Sequence, residues 1–268
     1  MNILLFKLLL TPALIGAISV AGRIWGPAVS GMLVGLPLTS GPVALFLALG
    51  QGPSFAAQLS TGILAGGISV GVFCLTYSRL AYRFPWQVTV LASWLAFLAT
   101  TFVLQSVSLP SVLPLALGVA AALVVILALL PHAAAAAAPA ATAPKWDIPT
   151  RMVIATLFVL ALTEVAPLLG PRLAGLIAPL PIYTSILAIF TQHLDGPDAA
   201  ARFMHGVMLG LFAFCAFFVV LALLLVPTGI LVGFVAACAL TLGMQAVSLL
   251  LLRGTRDITV AYGQEPPR

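Results

Sequence analysis

Residues 26–66 return, without a gap, 144 positions further along the chain. Gly26-Pro27 falls on Gly170-Pro171, Gly31 on Gly175, Pro37 on Pro181, Gly52-Pro53 on Gly196-Pro197, Gly62 on Gly206 and Gly66 on Gly210. A shared leucine means little in a leucine-rich chain. Shared glycines and prolines mean more, because glycine admits positive φ and proline fixes φ and removes a donor. The same backbone path is written twice. In a membrane protein, duplication of this kind builds two halves around one central site.

Composition supplies the membrane. The chain is 62% hydrophobic and 6% charged, with a mean hydropathy of +1.22. A soluble fold of 268 residues needs far more polar surface, so the expected class is all-α and polytopic. A helix needs about 20 apolar residues to cross the hydrocarbon core. Nine stretches qualify: 3–22, 27–49, 55–80, 86–106, 111–131, 150–169, 172–193, 199–225 and 228–252. None alternates apolar with polar residues as a barrel strand would. Four spans precede the fifth (111–131) and four follow it, so repeat one occupies 1–110 and repeat two 148–252. An Ala/Pro-rich cytoplasmic linker, 132–147, joins them, and a polar tail, 253–268, is expected to be disordered. The odd span between the halves turns the second upside down. This makes a 4+1+4 inverted-topology repeat.

Charge placement gives the same answer. Arg23, Arg79, Arg83, Lys145, Arg151, Arg202, Arg253 and Arg256 fall on one side if the N-terminus is outside, leaving Lys7 and Arg172 on the other. The positive-inside rule then sets N-out and C-in. The first span lacks a basic leader and a small-residue cleavage site, and its repeat partner is the sixth span, so it reads as retained. The basic residues are too dispersed for a nucleic-acid surface. Cys74, Cys215 and Cys238 lie within spans at no ligand spacing and read as small buried hydrophobes.

The second and seventh spans carry the candidate chemistry. One reads Gly35-Leu36-Pro37-Leu38-Thr39-Ser40-Gly41-Pro42, the other Pro179-Leu180-Pro181-Ile182-Tyr183-Thr184-Ser185. Proline inside a helix frees the carbonyl four residues back, here those of Leu33, Leu38, Gly175 and Ile177, and lipid cannot satisfy them. Hydroxyl residues then follow that suit the start of a new half-helix. Two broken helices near the midplane are expected, forming a substrate site from Pro37, Thr39, Ser40, Gly41, Pro181, Tyr183, Thr184 and Ser185. The blander reading is two kinked helices packed tightly through Gly31, Gly35 and Gly175.

Glu164 is the acid set well within a span, so it is the proton-coupling candidate. Lys7 and Arg151, partners under the 144-residue shift, are expected to snorkel to the interface. Arg202 and His205, one turn apart, match Gln58 and Thr61 and read as a cytoplasmic interfacial face, with a polar entrance beneath the broken helices as the alternative. Gln245 is an amide that must bond another helix. No Walker loop, metalloprotease helix, Cys-x-x-Cys or carboxylate pair occurs, so neither cofactor nor metal is expected.

The run from Ala174 through Pro181, followed by Tyr183-Thr184 and Gly196-Pro197, resembles the GlpM-type family of small bacterial inner-membrane proteins. The resemblance implies a fused, inverted duplication of such a module and assigns no catalytic residue. Leu-Pro followed by Ser/Thr is also similar to the undecaprenyl-pyrophosphate phosphatases. Their chemistry implies acidic and arginine residues beside that segment, and none stands there. The expected function is a secondary transporter or exporter of a small metabolite, coupled to a proton or sodium ion. The alternatives are a membrane enzyme on a lipid-linked substrate, using Glu164 and His205, or a non-catalytic assembly protein.

Overall fold

The computed structural model describes residues 3–25, 32–108, 111–131 and 147–262. Gly26-Pro27, Gly31, the linker as far as residue 146 and the last six residues lie outside them, as do the side chains of Arg23, Arg151, Arg253 and Arg256. The described chain is almost wholly helical, with no strand among the described residues. The helices are α1 (Ile3–Trp25), α2 (Ser40–Gln51), α3 (Pro53–Leu80), α4 (Trp86–Ser106), α5 (Val112–Leu129), α6 (Asp147–Ile177), α7 (Ile182–Thr228) and α8 (Ile230–Tyr262). Several are long and apolar enough to cross a membrane. α8 continues past Arg253 as far as Tyr262, over the first part of the tail that was expected to be disordered.

Two helices form the core. α3 and the part of α7 after Gly196 pack on each other and on most of the remaining elements. α4 shows what surrounds them. Its buried residues are Thr89, Ser93, Phe97 and Thr101, one every turn. Its exposed face carries Leu91, Leu95, Leu98 and Phe102. Polar-in and apolar-out reverses the pattern of a water-facing helix and suits a hydrocarbon surround. The inward hydroxyl of Thr101 donates to Ser69 Oγ on α3 at 3.0 Å.

Glycine–proline pairs punctuate this framework. Gly52 (φ 94°, ψ 166°), Gly170 (φ 75°, ψ 162°) and Gly196 (φ 84°, ψ 179°) share one conformation. Each precedes a proline that opens the next helical segment. Only glycine readily adopts this region. The expected spans 150–169 and 172–193 thus meet at Gly170 with scarcely a loop, and 172–193 and 199–225 meet the same way at Gly196. Nothing lies within 4 Å of a β-carbon added at Gly52 or Gly196. Gly52→Ala and Gly196→Ala should therefore each cost only the backbone term, about 1–3 kcal/mol, read as thermal unfolding in detergent. A neutral result would mean that these corners relax.

Elsewhere glycine buys proximity rather than conformation. A β-carbon on Gly35 would stand 2.7 Å from Gly210 Cα, and one on Gly62 would stand 3.1 Å from Gly175 Cα. α3 therefore crosses the end of α6, and α7 crosses residues 32–35, backbone against backbone.

Candidate functional site

Helical geometry fails at two places, 35–39 and 178–181. At the first, Leu36 N donates to Leu33 O (3.2 Å), Leu38 N to Leu36 O (2.7 Å) and Gly41 N to Pro37 O (2.9 Å). At the second, Leu180 N donates to Ile177 O (2.9 Å), Ile182 N to Leu180 O (2.8 Å) and Ser185 N to Pro181 O (2.9 Å). The three bonds correspond one to one under the 144-residue shift. The middle one closes a three-residue turn about the proline, and Pro181 has the φ −81°, ψ 45° of an inverse γ-turn. These segments are breaks rather than kinks.

The turns revise the expectation of open carbonyls at two of the four positions: Leu33 O and Ile177 O are each taken by the amide three residues on. Met32 O, just before the first break, accepts the side-chain amide of Gln245 from α8 at 3.2 Å. This gives that buried glutamine its interhelical partner. At Leu33 and Ile177 the backbone satisfies itself by tightening.

The two breaks face one cavity of about 40 Å³. Thr39 and Ser40 line it from one side, and Pro181, Tyr183 and Thr184 from the other. Val70 of α3 and Phe214 of α7 close it. A smaller void of about 10 Å³ adjoins it, sharing Thr39, Leu180 and Tyr183 and reaching Phe158 of α6. Five of the eight expected contact residues thus meet at one place. The other three do not line it. Pro37 stays within its turn. Gly41 turns to the Phe217 ring, whose Cζ would lie 3.8 Å from an added β-carbon. Ser185 Oγ donates to Pro181 O and accepts the Trp94 indole N–H at 2.9 Å. Ser185 thereby fixes the turn to α4.

Neither half-helix has its N-terminus closed by its own cap. Thr39 before α2 and Pro181 before α7 make no side-chain cap bond. Both N-terminal turns contribute residues to the cavity wall. α2 and the first part of α7 therefore present the positive ends of their dipoles to the same space.

Glu164 departs from expectation. Its carboxylate is 74% exposed, and its Oε1 lies 3.2 Å from Lys7 Nζ. The lysine is the buried member, at 9%. It does not snorkel: Nζ donates to Thr163 Oγ1 at 2.8 Å and lies 5.9 Å from the centroid of the Phe46 ring. The reason is local. Glu164 stands less than two turns before the Gly170 corner, where α6 nears its end, and α1 packs along α6 with Lys7 turned inward. Glu164 is thus engaged by Lys7.

Tyr82, between α3 and α4, donates to Asp198 Oδ1 at 2.8 Å. Gln192 Nε2 donates to Phe84 O at 3.0 Å. These bonds strap the 81–85 loop across the Gly196 corner. Arg202 belongs to the same cluster through its charge. On the matching turn of α3, Gln58 is exposed and its carbonyl accepts the Thr61 hydroxyl at 2.6 Å. Desolvation and then the Asp198 bond push the Tyr82 phenol up from 10 to about 12. A raised phenol stabilises the fold fully below its ordinary value of 10 and loses that contribution as pH rises through about 12. Tyr82→Phe should abolish this alkaline dependence of stability, measured by thermal unfolding between neutral pH and the phenol range. An unchanged profile would show that the strap is not held by this bond.

Among the described residues no group of three or more His, Cys, Asp or Glu side chains comes together to hold a metal. No family model, curated protein or solved structure matches the chain.

Proposed function

We propose that the protein is a secondary transporter or exporter of a small metabolite, built as a GlpM-like module duplicated and inverted. In this reading nine spans cross a bacterial cytoplasmic membrane in a 4+1+4 arrangement, N-terminus outside and C-terminus inside. The single observation that carries it is the pair of breaks: hydrogen bonds matched residue for residue, 144 positions apart, at the wall of one cavity. A protein that only fills a membrane has no use for two matched interruptions, each costing helical bonds in a place without water. A transporter does, because a site shared by two pseudo-equivalent halves can be exposed to either side as one half rocks on the other.

Coupling in this reading falls to the Lys7–Glu164 pair rather than to a lone carboxylate. Protonating Glu164 would leave the buried ammonium without its counter-charge, and so bias the packing of α1 on α6. Substrate contact falls to Thr39, Ser40, Tyr183 and Thr184.

Ser40→Ala combined with Thr184→Ala should lower transport into proteoliposomes at least tenfold while leaving thermal stability close to wild type. Candidate substrates are screened by melting-temperature shift, since a ligand that binds only the folded state raises it. Full transport in the double variant would remove the cavity as the site. Unchanged folding and function in Pro37→Ala and Pro181→Ala would favour an assembly role, in which the breaks have no task.

A further inference from the structure

We propose that the cavity between the breaks binds a small monovalent anion. The inference rests on reading that cavity as the substrate site, and it names the class of substrate.

The cavity offers donors. Ser40 and Thr184 are 1% and 7% exposed, and with Thr39 they line the cavity, their side-chain hydroxyls making no hydrogen bond to another described residue. The Ser40 and Thr184 hydroxyls correspond under the internal repeat, and neither has a partner among the described residues. Such groups are ordinarily bonded in a folded protein. The two uncapped N-terminal turns of α2 and α7 add their positive dipole ends from opposite sides.

The cavity is poor in acceptors. A cation would need carbonyl or carboxylate oxygens. No acidic side chain lines the cavity. The carbonyls of Leu33, Leu36 and Pro37, and those of Ile177, Leu180 and Pro181, all accept backbone amides in the turns. Each of these carbonyls therefore already holds one hydrogen bond, and no carboxylate is at hand to supply the negative charge a sodium site would draw on.

Charge and size narrow the class. Each helix N-terminus carries about half a unit of positive charge, so two together balance roughly one negative charge. No lysine or arginine lines the wall to balance a second. A buried water needs about 10–15 Å³ measured as probe space, so a cavity of about 40 Å³ admits a ligand of only a few heavy atoms. A halide, formate or nitrate fits these limits. A phosphate ester or a dicarboxylate exceeds them in both charge and volume.

The test uses the full chain purified in an uncharged detergent. Melting temperature is titrated with sodium chloride, sodium nitrate and sodium formate against sodium gluconate at constant ionic strength, then again with choline replacing sodium. The expected result is stabilisation by the small anions over gluconate, independent of the cation. In Ser40→Ala and in Thr184→Val, tested singly, apparent affinity should fall at least tenfold. Identical melting in chloride and gluconate, or stabilisation that follows sodium, overturns the proposal. So does an anion response retained in both variants. If neither variant purifies, the wild-type ion series decides alone. Flux through proteoliposomes separates this inference from the transport reading. Anion binding without flux of any anion supports the site and removes transport. Flux of a neutral or cationic solute, with no anion effect on melting, removes the anion site and keeps transport.

Discussion

Gly35→Ala and Gly62→Ala are each expected to cost about 3 kcal/mol or more, and the folded protein should be largely lost from detergent extracts. A single methyl group is added in either case. What decides the outcome is the atom it meets. At Gly35 the new carbon would lie 2.6 Å from Val207 O and 2.7 Å from Gly210 Cα. At Gly62 it would lie 2.7 Å from Arg172 O. These neighbours are backbone, so no rotamer change relieves the overlap and the helix axes must separate. Overpacking a core typically costs about 1–3 kcal/mol when side chains can yield, and here they cannot. Two other glycines provide the control. A β-carbon at Gly67 would meet Cys215 Sγ at 3.6 Å, and one at Gly118 meets nothing within 4 Å. Both lie inside helices, where alanine is favoured over glycine by about 1 kcal/mol. Gly67→Ala and Gly118→Ala should be neutral or stabilising. The measurement is thermal unfolding alongside the monodisperse fraction on size exclusion. Equal tolerance at all four positions would mean that the helices at these crossings can part at little cost.

The same crossings show what the sequence carries. Gly35 against Gly210 and Gly66 against Pro179 are one contact made twice, since 35 and 66 shift to 179 and 210. The repeat was legible because glycine and proline act on the backbone directly, with no tertiary partner required. The break positions were legible for the same reason. How the breaks satisfy themselves was not, because a three-residue turn and a continued kinked helix use the same residues.

Side-chain assignments were less secure, and in one case the sequence held a better answer. Ser40 shifts onto Thr184, not Ser185, while Gly41 shifts onto Ser185. The repeat itself pairs the two residues that line the cavity and leaves Ser185 opposite a glycine. The walls contributed by Val70 and Phe214 had no such signal. They belong to long apolar helices in which any of several valines or phenylalanines could have faced inward. Lys7 and Glu164 lay beyond reach for a different reason. Their repeat partners are Arg151 and Val20, so the contact obeys no internal symmetry and spans 157 positions.

That pair yields a test of asymmetry. Glu164→Gln should destabilise the protein by about 3 kcal/mol, whereas Lys7→Met should change it by less than about 1 kcal/mol in either direction. The two partners form one interaction, but they are not buried alike. Lys7 is 9% exposed and Glu164 is 74% exposed. Removing the carboxylate leaves an ammonium within the protein with only the Thr163 hydroxyl, 2.8 Å away, and the distant Phe46 ring for company. A buried charge stripped of its counter-charge is among the more costly defects a fold can hold. Removing the lysine leaves a carboxylate that is already mostly outside the packed interior, and methionine refills the space of the stem. The double variant Lys7→Met/Glu164→Gln should then match Lys7→Met alone, so the carboxylate change costs nothing once the ammonium is gone. Unfolding midpoints of the four proteins, compared as a cycle, report this directly. Equal and small losses in both single variants would make the pair an ordinary interfacial contact. They would also end its candidacy as the coupling element, because a proton arriving at Glu164 could then shift no packing equilibrium.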